Sequence, residues 1–163
     1  MKKSFLVLSL LLVSFGFSKA TFAHCEVPCG IFHDELRVEL IKEHIQTIEK
    51  AMNQITELQS AEVVNYNQLV RWINTKEHHA NLIQEVAEQY FLTQRVKFVD
   101  PTDKEKYQKY VTQLTTLHEL IVYTMKAKQT TDLENVEKMR ASLTAFEDSY
   151  FGEHRHTLDG AHK

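Results

Sequence analysis

The residues best suited to chemistry lie together in one stretch. His24-Cys25-Glu26-Val27-Pro28-Cys29-Gly30-Ile31-Phe32 holds both cysteines of the sequence. It follows directly on a segment built for removal. Lys2 and Lys3 form a charged start, Phe5 to Phe17 an apolar core, and Thr21-Phe22-Ala23 a small-x-small cleavage site. That apolar core is shorter than the roughly 20 residues a membrane-spanning helix needs. Residues 1–23 are therefore expected to be a secretory signal peptide, and the product an exported protein, periplasmic or extracellular. Cleavage before His24 places a free α-amine, an imidazole and two thiols within six residues of the new terminus. A cut after Ala20 is the rival, and it would leave three residues ahead of His24.

With His24 first, the donors are its α-amine and imidazole, the Cys25 amide once deprotonated, and the thiolates of Cys25 and Cys29. Chelate rings formed by consecutive residues are small and nearly coplanar. They favour square-planar Ni(II) or Cu(II) over tetrahedral zinc. Pro28 and Gly30 shape the intervening chain so that the second sulfur can return to the same ion. Thiolates also stabilise a higher oxidation state, which points to redox chemistry. A Cys25–Cys29 disulfide is the competing reading, since export places thiols in an oxidising compartment. Its loop is very small, however, whereas the larger gains of about 3 to 5 kcal/mol belong to longer loops. A thioredoxin-like role fits poorly: the spacing is C-x-x-x-C, and no βαβ pattern surrounds it.

The rest of the chain must position this stretch. Beyond it, glycine and proline shrink to Pro101, Gly152 and Gly160, while Glu, Lys, Gln, Leu and Ala dominate. That is helical composition. A first helix is expected from Asp34, an acceptable N-cap, with Ile41, Ile45, Ile48, Met52 and Ile55 lining one face. Gln59 to Glu62 reads as a turn. A second helix is expected over about 63–98, its inward stripe running through Leu69, Trp72 or Ile73, Lys76, His79 or Ala80, Ile83, Val86 and Tyr90. Val99-Asp100-Pro101 should end it, because proline disfavours helical geometry in the residue before it.

Thr102 or Asp103 can cap a third helix, with Glu105 placed for a capping box with Thr102. Its core face is Tyr107, Tyr110 or Val111, Leu114, Leu117, Ile121 and Met125. A fourth helix carries Leu133, Val136, Met139, Leu143, Phe146 and Tyr150, with Gly152 as C-cap. Short links between four amphipathic segments imply an all-α, up-down-up-down four-helix bundle with an irregular N-terminal metal-binding hook. The expected organisation is leader 1–23, hook 24–33, bundle 34–152 and a polar, disordered tail 153–163. The tail's His154, His156 and His162 offer only weak metal binding. Phe91, Phe98, Tyr107 and Phe151 exceed what a small core needs, and are candidates for subunit contacts or for filling helix ends.

Charge narrows the partners. Removing Lys2, Lys3 and Lys19 with the leader leaves sixteen basic against 22 acidic residues, a net charge of −6. No basic run remains, which excludes an obvious nucleic-acid partner. After processing, no membrane association is expected either.

The pattern His-Cys-x-x-Pro-Cys-Gly-x-aromatic, at a processed N-terminus and followed by a helical remainder, resembles nickel superoxide dismutase. The resemblance implies a homohexamer of four-helix bundles, each holding one nickel ion. It implies disproportionation of superoxide to oxygen and hydrogen peroxide by cycling Ni(II) and Ni(III). Carried over, the ligands would be the His24 amine and imidazole, the Cys25 amide and sulfur, and the Cys29 sulfur, with the imidazole axial. The family usually has tyrosine three residues after the second cysteine. Phe32 stands there, which removes a hydrogen-bonding handle near the open face of the metal. Family members also orient the axial imidazole with a glutamate on the first helix and, in some, an arginine on the second. Arg37-Val38-Glu39 resembles the first segment, making Glu39 the candidate. Lys76-Glu77-His78-His79-Ala80 occupies the second, so His79 would substitute for the arginine. Two other functions fit the same residues: an exported nickel or copper carrier without turnover, and a secreted bundle closed by a terminal disulfide.

Overall fold

The computed structural model describes residues 34–152; the leader, residues 24–33 and the tail from Glu153 fall outside the described residues. The described chain forms four helices: α1 (Asp34–Gln59), α2 (Tyr66–Glu85, continued by a π-helical stretch, Val86–Arg95), α3 (Lys104–Gln129) and α4 (Glu134–Phe151). There is no strand among the described residues. α1 packs mainly on α2 and α3 mainly on α4, and the α2–α3 and α1–α4 faces close the bundle. Cross-helix bonds show the direction of the chain. Asp34, Lys42 and Glu49 along α1 meet Tyr150, Glu147 and Arg140 in descending order along α4. The neighbouring helices therefore run antiparallel, as short connections require.

Helical spacing accounts for the core. Val38, Ile41, Ile45, Ile48, Met52 and Ile55 of α1 are all buried, each worth about 1.5–3 kcal/mol of apolar burial. Ala80, Ile83, Ala87, Tyr90 and Phe91 meet them from the second helix, Leu117, Leu120 and Ala127 from α3, and Val136, Met139, Leu143 and Phe146 from α4. The small alanines let the helices approach, and the aromatic rings gather at one end. Phe91 packs edge-on to Phe146 at 4.8 Å between ring centroids, and Phe146 stacks on Tyr150 at 5.1 Å.

Several boundaries differ from the sequence expectation. The second helix starts at Tyr66 rather than near Val63, because the Asn65 side chain accepts the Gln68 N–H at 3.2 Å and caps it there. It ends at Arg95, well before Pro101. Here the turns widen, and the Val96 N–H reaches five residues back to the Phe91 carbonyl at 2.9 Å before the chain becomes extended. Such a turn takes more residues per revolution than an α-helix. It brings the consecutive Tyr90 and Phe91 together into the interior, where they are 1% and 0% exposed. Phe91 is thus a core residue and not a subunit contact, whereas Phe98 is almost wholly exposed.

α3 is capped by Asp103, whose carboxylate accepts the Lys106 N–H at 3.3 Å. Thr102 instead bonds Asp100 through both its N–H and its hydroxyl, so it forms no capping box with Glu105. Met125 is exposed rather than inward; its neighbour Thr124 takes the buried position and returns its hydroxyl to the Leu120 carbonyl at 2.7 Å. Leu133 is likewise exposed, since it sits at the cap before α4 rather than within it. Gly152 ends α4 as expected, at φ +62° and ψ −142°, a combination that side chains disfavour.

The polar interruption of the α2 stripe has a specific cause. Lys76 is 5% exposed, and its ammonium donates to three backbone carbonyls at the end of α3: Ala127 (2.9 Å), Lys128 (2.6 Å) and Thr130 (3.1 Å). The last carbonyls of a helix have no partner within it. One buried cation from the facing helix supplies theirs.

Candidate metal centre

His24, Cys25, Cys29 and Phe32 lie outside the described residues, so the centre is approached from the bundle end to which they are joined. Asp34 is the first residue of α1 and stands five residues after Cys29. Asp34 is thus the described residue at which the bundle joins the cysteine-bearing stretch. How Asp34 is held therefore bears directly on where the hook starts.

Its carboxylate does more than a helix-starting aspartate needs to do. The Tyr90 hydroxyl donates a short hydrogen bond to Oδ1. The Tyr150 hydroxyl donates to Oδ2 at 2.8 Å, and Arg95 adds Nε at 3.1 Å and Nη2 at 2.6 Å. One side chain thereby ties the start of α1 to the π-helical end of the second helix and to the end of α4. Burial pushes the Asp34 carboxyl up, but the bonds from Tyr90, Arg95 and Tyr150 outweigh it and leave its pKa lowered. Burial, then the bond to Asp34 and its charge, push both phenols the other way, Tyr90 and Tyr150 each up to about 12. Arg37 adds its guanidinium over the Tyr90 ring, 5.1 Å from the centroid.

None of these four bonded residues was singled out for the site by sequence. Asp34 read as a cap, while Tyr90 and Tyr150 read as core. A signal was nonetheless present: a tyrosine on a core stripe brings a hydroxyl that needs a partner, and Asp34 is the acidic residue at the adjoining helix end.

Glu39 and His79 are placed on different grooves of the bundle. Glu39 is half-exposed and accepts from Lys42 at 2.8 Å; the same ammonium bonds Glu147 of α4 at 2.8 Å. Burial lowers the Lys42 pKa, but its two carboxylates more than reverse that, leaving it raised. Glu39 thus belongs to the α1–α4 side. His79 faces α1 from α2, where its Nδ1 lies 3.0 Å from Nδ1 of His44. Burial lowers the pKa of both imidazoles, helped by the His79 charge at His44 and by the His78 charge at both, so both rings favour the neutral form. The structure does not bring Glu39 and His79 into contact with each other through any described bond.

Among the described residues, no group of three or more His, Cys, Asp or Glu side chains could hold a metal ion. The His24 imidazole and the Cys25 and Cys29 thiolates make a mixed N/S set whose softness fits nickel. Also among the described residues, no helix is long and apolar enough to cross a membrane.

Searches of curated proteins and of solved structures find no match. The sequence profile described as nickel-containing superoxide dismutase matches residues 19–154, which take in the cysteine-bearing stretch and all four helices. The chain belongs to the nickel-containing superoxide dismutase family, and its activity is the nickel-dependent disproportionation of superoxide.

Proposed function

We propose that the nickel of this enzyme is held by the processed N-terminus. The His24 amine and imidazole, the Cys25 amide and thiolate and the Cys29 thiolate are its ligands. The observation that supports this most is the family match, which runs through the only two cysteines of the chain and on into the bundle. When bound, nickel supplies the one-electron redox couple that superoxide disproportionation needs.

The remaining work falls to the chain. Removal of residues 1–23 on export frees the His24 amine, which makes the leader part of site maturation. Asp34, held by Tyr90, Tyr150 and Arg95, fixes the point from which the ten residues of the hook depart. Glu39 lies about 7.5 Å further along α1, at 1.5 Å per residue, and its exposed carboxylate suits it to orient the His24 imidazole. His79 contributes a neutral imidazole on the second helix, steadied by His44. Phe32 leaves no phenol after the second cysteine, so water, backbone amides or a ligand thiol deliver the protons for peroxide. The substrate is an anion and the mature chain carries −6, so attraction is local to the hook rather than a property of the whole surface.

A homohexamer is part of the same proposal. Val63, Tyr66, Val70 and Ile73 are exposed at the start of α2 by 84%, 72%, 53% and 37%, and Phe98 by 96%. An apolar stripe of that kind marks contact surface. The carrier alternative has no observation in its favour.

Replacing Cys25 or Cys29 with serine tests the ligand assignment. Nickel content and superoxide-scavenging activity should both fall to background while helical content is unchanged. Wild-type nickel content and activity in both variants would show that the metal is held elsewhere.

A further inference from the structure

The pair His44–His79 has a geometry that a supporting role at the hook does not require. The two Nδ1 atoms, each a potential metal ligand, face one another at 3.0 Å across the α1–α2 groove. The rings meet edge-on, 5.0 Å between centroids and 65° between planes. Both side chains are only half-buried, so the groove admits solvent. Two imidazole nitrogens bound to one ion at about 2.05 Å each stand about 2.9 Å apart at a right angle and about 3.3 Å apart at a tetrahedral one. The observed spacing is that of an N–H···N hydrogen bond and also falls on the right-angled bite that octahedral Ni(II) or tetragonal Cu(II) takes.

The surroundings agree with this. Each residue sits on a well-packed helix, between the buried Ile41 and Ile45 on one side and next to the buried Ala80 on the other. The ligand spacing is thus set before any ion arrives. Burial holds both rings toward the neutral form that a metal requires. Glu43 lies beside His44 and favours positive charge there. The exposed His78 ring stands edge-on to His79 at 5.5 Å and packs against it.

We propose that His44 and His79 form an open, two-imidazole site for Ni(II) in the α1–α2 groove, separate from the thiolate hook, with water completing the coordination. In the unloaded pair, one ring donates its Nδ1–H to the Nδ1 of the other across the same 3.0 Å; when the ion binds, the donor ring carries its proton on Nε2 instead, so both Nδ1 lone pairs are free and both rings stay neutral. The site stands about 15 Å along α1 from Asp34.

The test uses the full chain beginning at residue 24 with His24 replaced by alanine and Cys25 and Cys29 by serine, so the imidazole and both thiolates of the hook are gone and its result does not depend on the hook assignment. His154, His156 and His162 are also changed to alanine, to remove the tail's imidazoles. Equilibrium dialysis with Ni(II) should give one ion per chain at saturation, and X-ray absorption should show nitrogen and oxygen neighbours with no sulfur. Adding His44→Ala or His79→Ala should weaken binding by at least about tenfold, because losing a mere supporting partner of a metal ligand already costs that much. Circular dichroism checks that each variant keeps its helices, and His44→Gln serves as the milder change if alanine does not. No binding in the parent protein, or equal affinity in the His44 and His79 variants, would overturn the proposal.

Discussion

Asp34 shows how much one residue can carry. Four donors converge on its carboxylate from two other helices, and both phenols among them have pKa values pushed up to about 12. An unfolded tyrosine titrates near pH 10. A pKa raised by folding stabilises the protein in full below about pH 10 and is lost as the pH climbs toward 12. Asp34→Asn keeps the shape but removes the charge. It should cost about 2 kcal/mol at pH 7 by chemical denaturation, since hydrogen bonds to charged groups are each worth about 1.5–3 kcal/mol. It should also move the phenolate ultraviolet titration to lower pH. An unchanged titration would mean that the carboxylate does not hold the two phenols. Only part of this was legible in the sequence. Asp34 could be read as the start of a helix, but the partners depend on how the second helix ends. There, an unannounced π-helical stretch buries Phe91 beside the inward Tyr90 and carries Arg95 to the same end.

At the scale of the element, the α1 stripe from Ile41 to Ile55 was legible because nothing competes with its helical spacing. The second helix was harder, and Lys76 explains why. A lysine on an inward stripe looks like a break in amphipathicity, yet here it substitutes for the missing partners of the α3 terminus. That role depends on α3 ending opposite position 76, which the α2 sequence alone does not encode. Burial lowers the Lys76 pKa, against the opposing charge of Glu77, so the cation is held by its carbonyls at some cost. Lys76→Met should retain the packing of the stem and strand the carbonyls. The expected loss is about 2–3 kcal/mol of unfolding free energy by denaturant titration, the usual cost of unmaking buried bonds to a charged group. A loss under about 0.5 kcal/mol would show that water satisfies the helix end instead.

For the molecule as a whole, the bundle is a scaffold whose ends matter unequally. The end with Asp34, Tyr90, Arg95 and Tyr150 anchors the chain just after the hook, while the start of α2 presents Val63, Tyr66, Val70 and Ile73 outward. If that stripe is a subunit contact, sedimentation of the mature protein should show a hexamer. Tyr66→Lys with Val70→Lys should then reduce it to smaller species without loss of helix, because neither side chain contributes to the protomer core. A monomeric parent, or a hexamer indifferent to both lysines, would rule the stripe out. In the proposed nickel site, a free His24 amine completes the ligand set. N-terminal sequencing and intact mass of the exported protein, with nickel quantified on the same sample, test this most directly. The exported chain should begin at His24 and carry one nickel ion per subunit. A fully nickel-loaded, active chain beginning at Thr21 would contradict it.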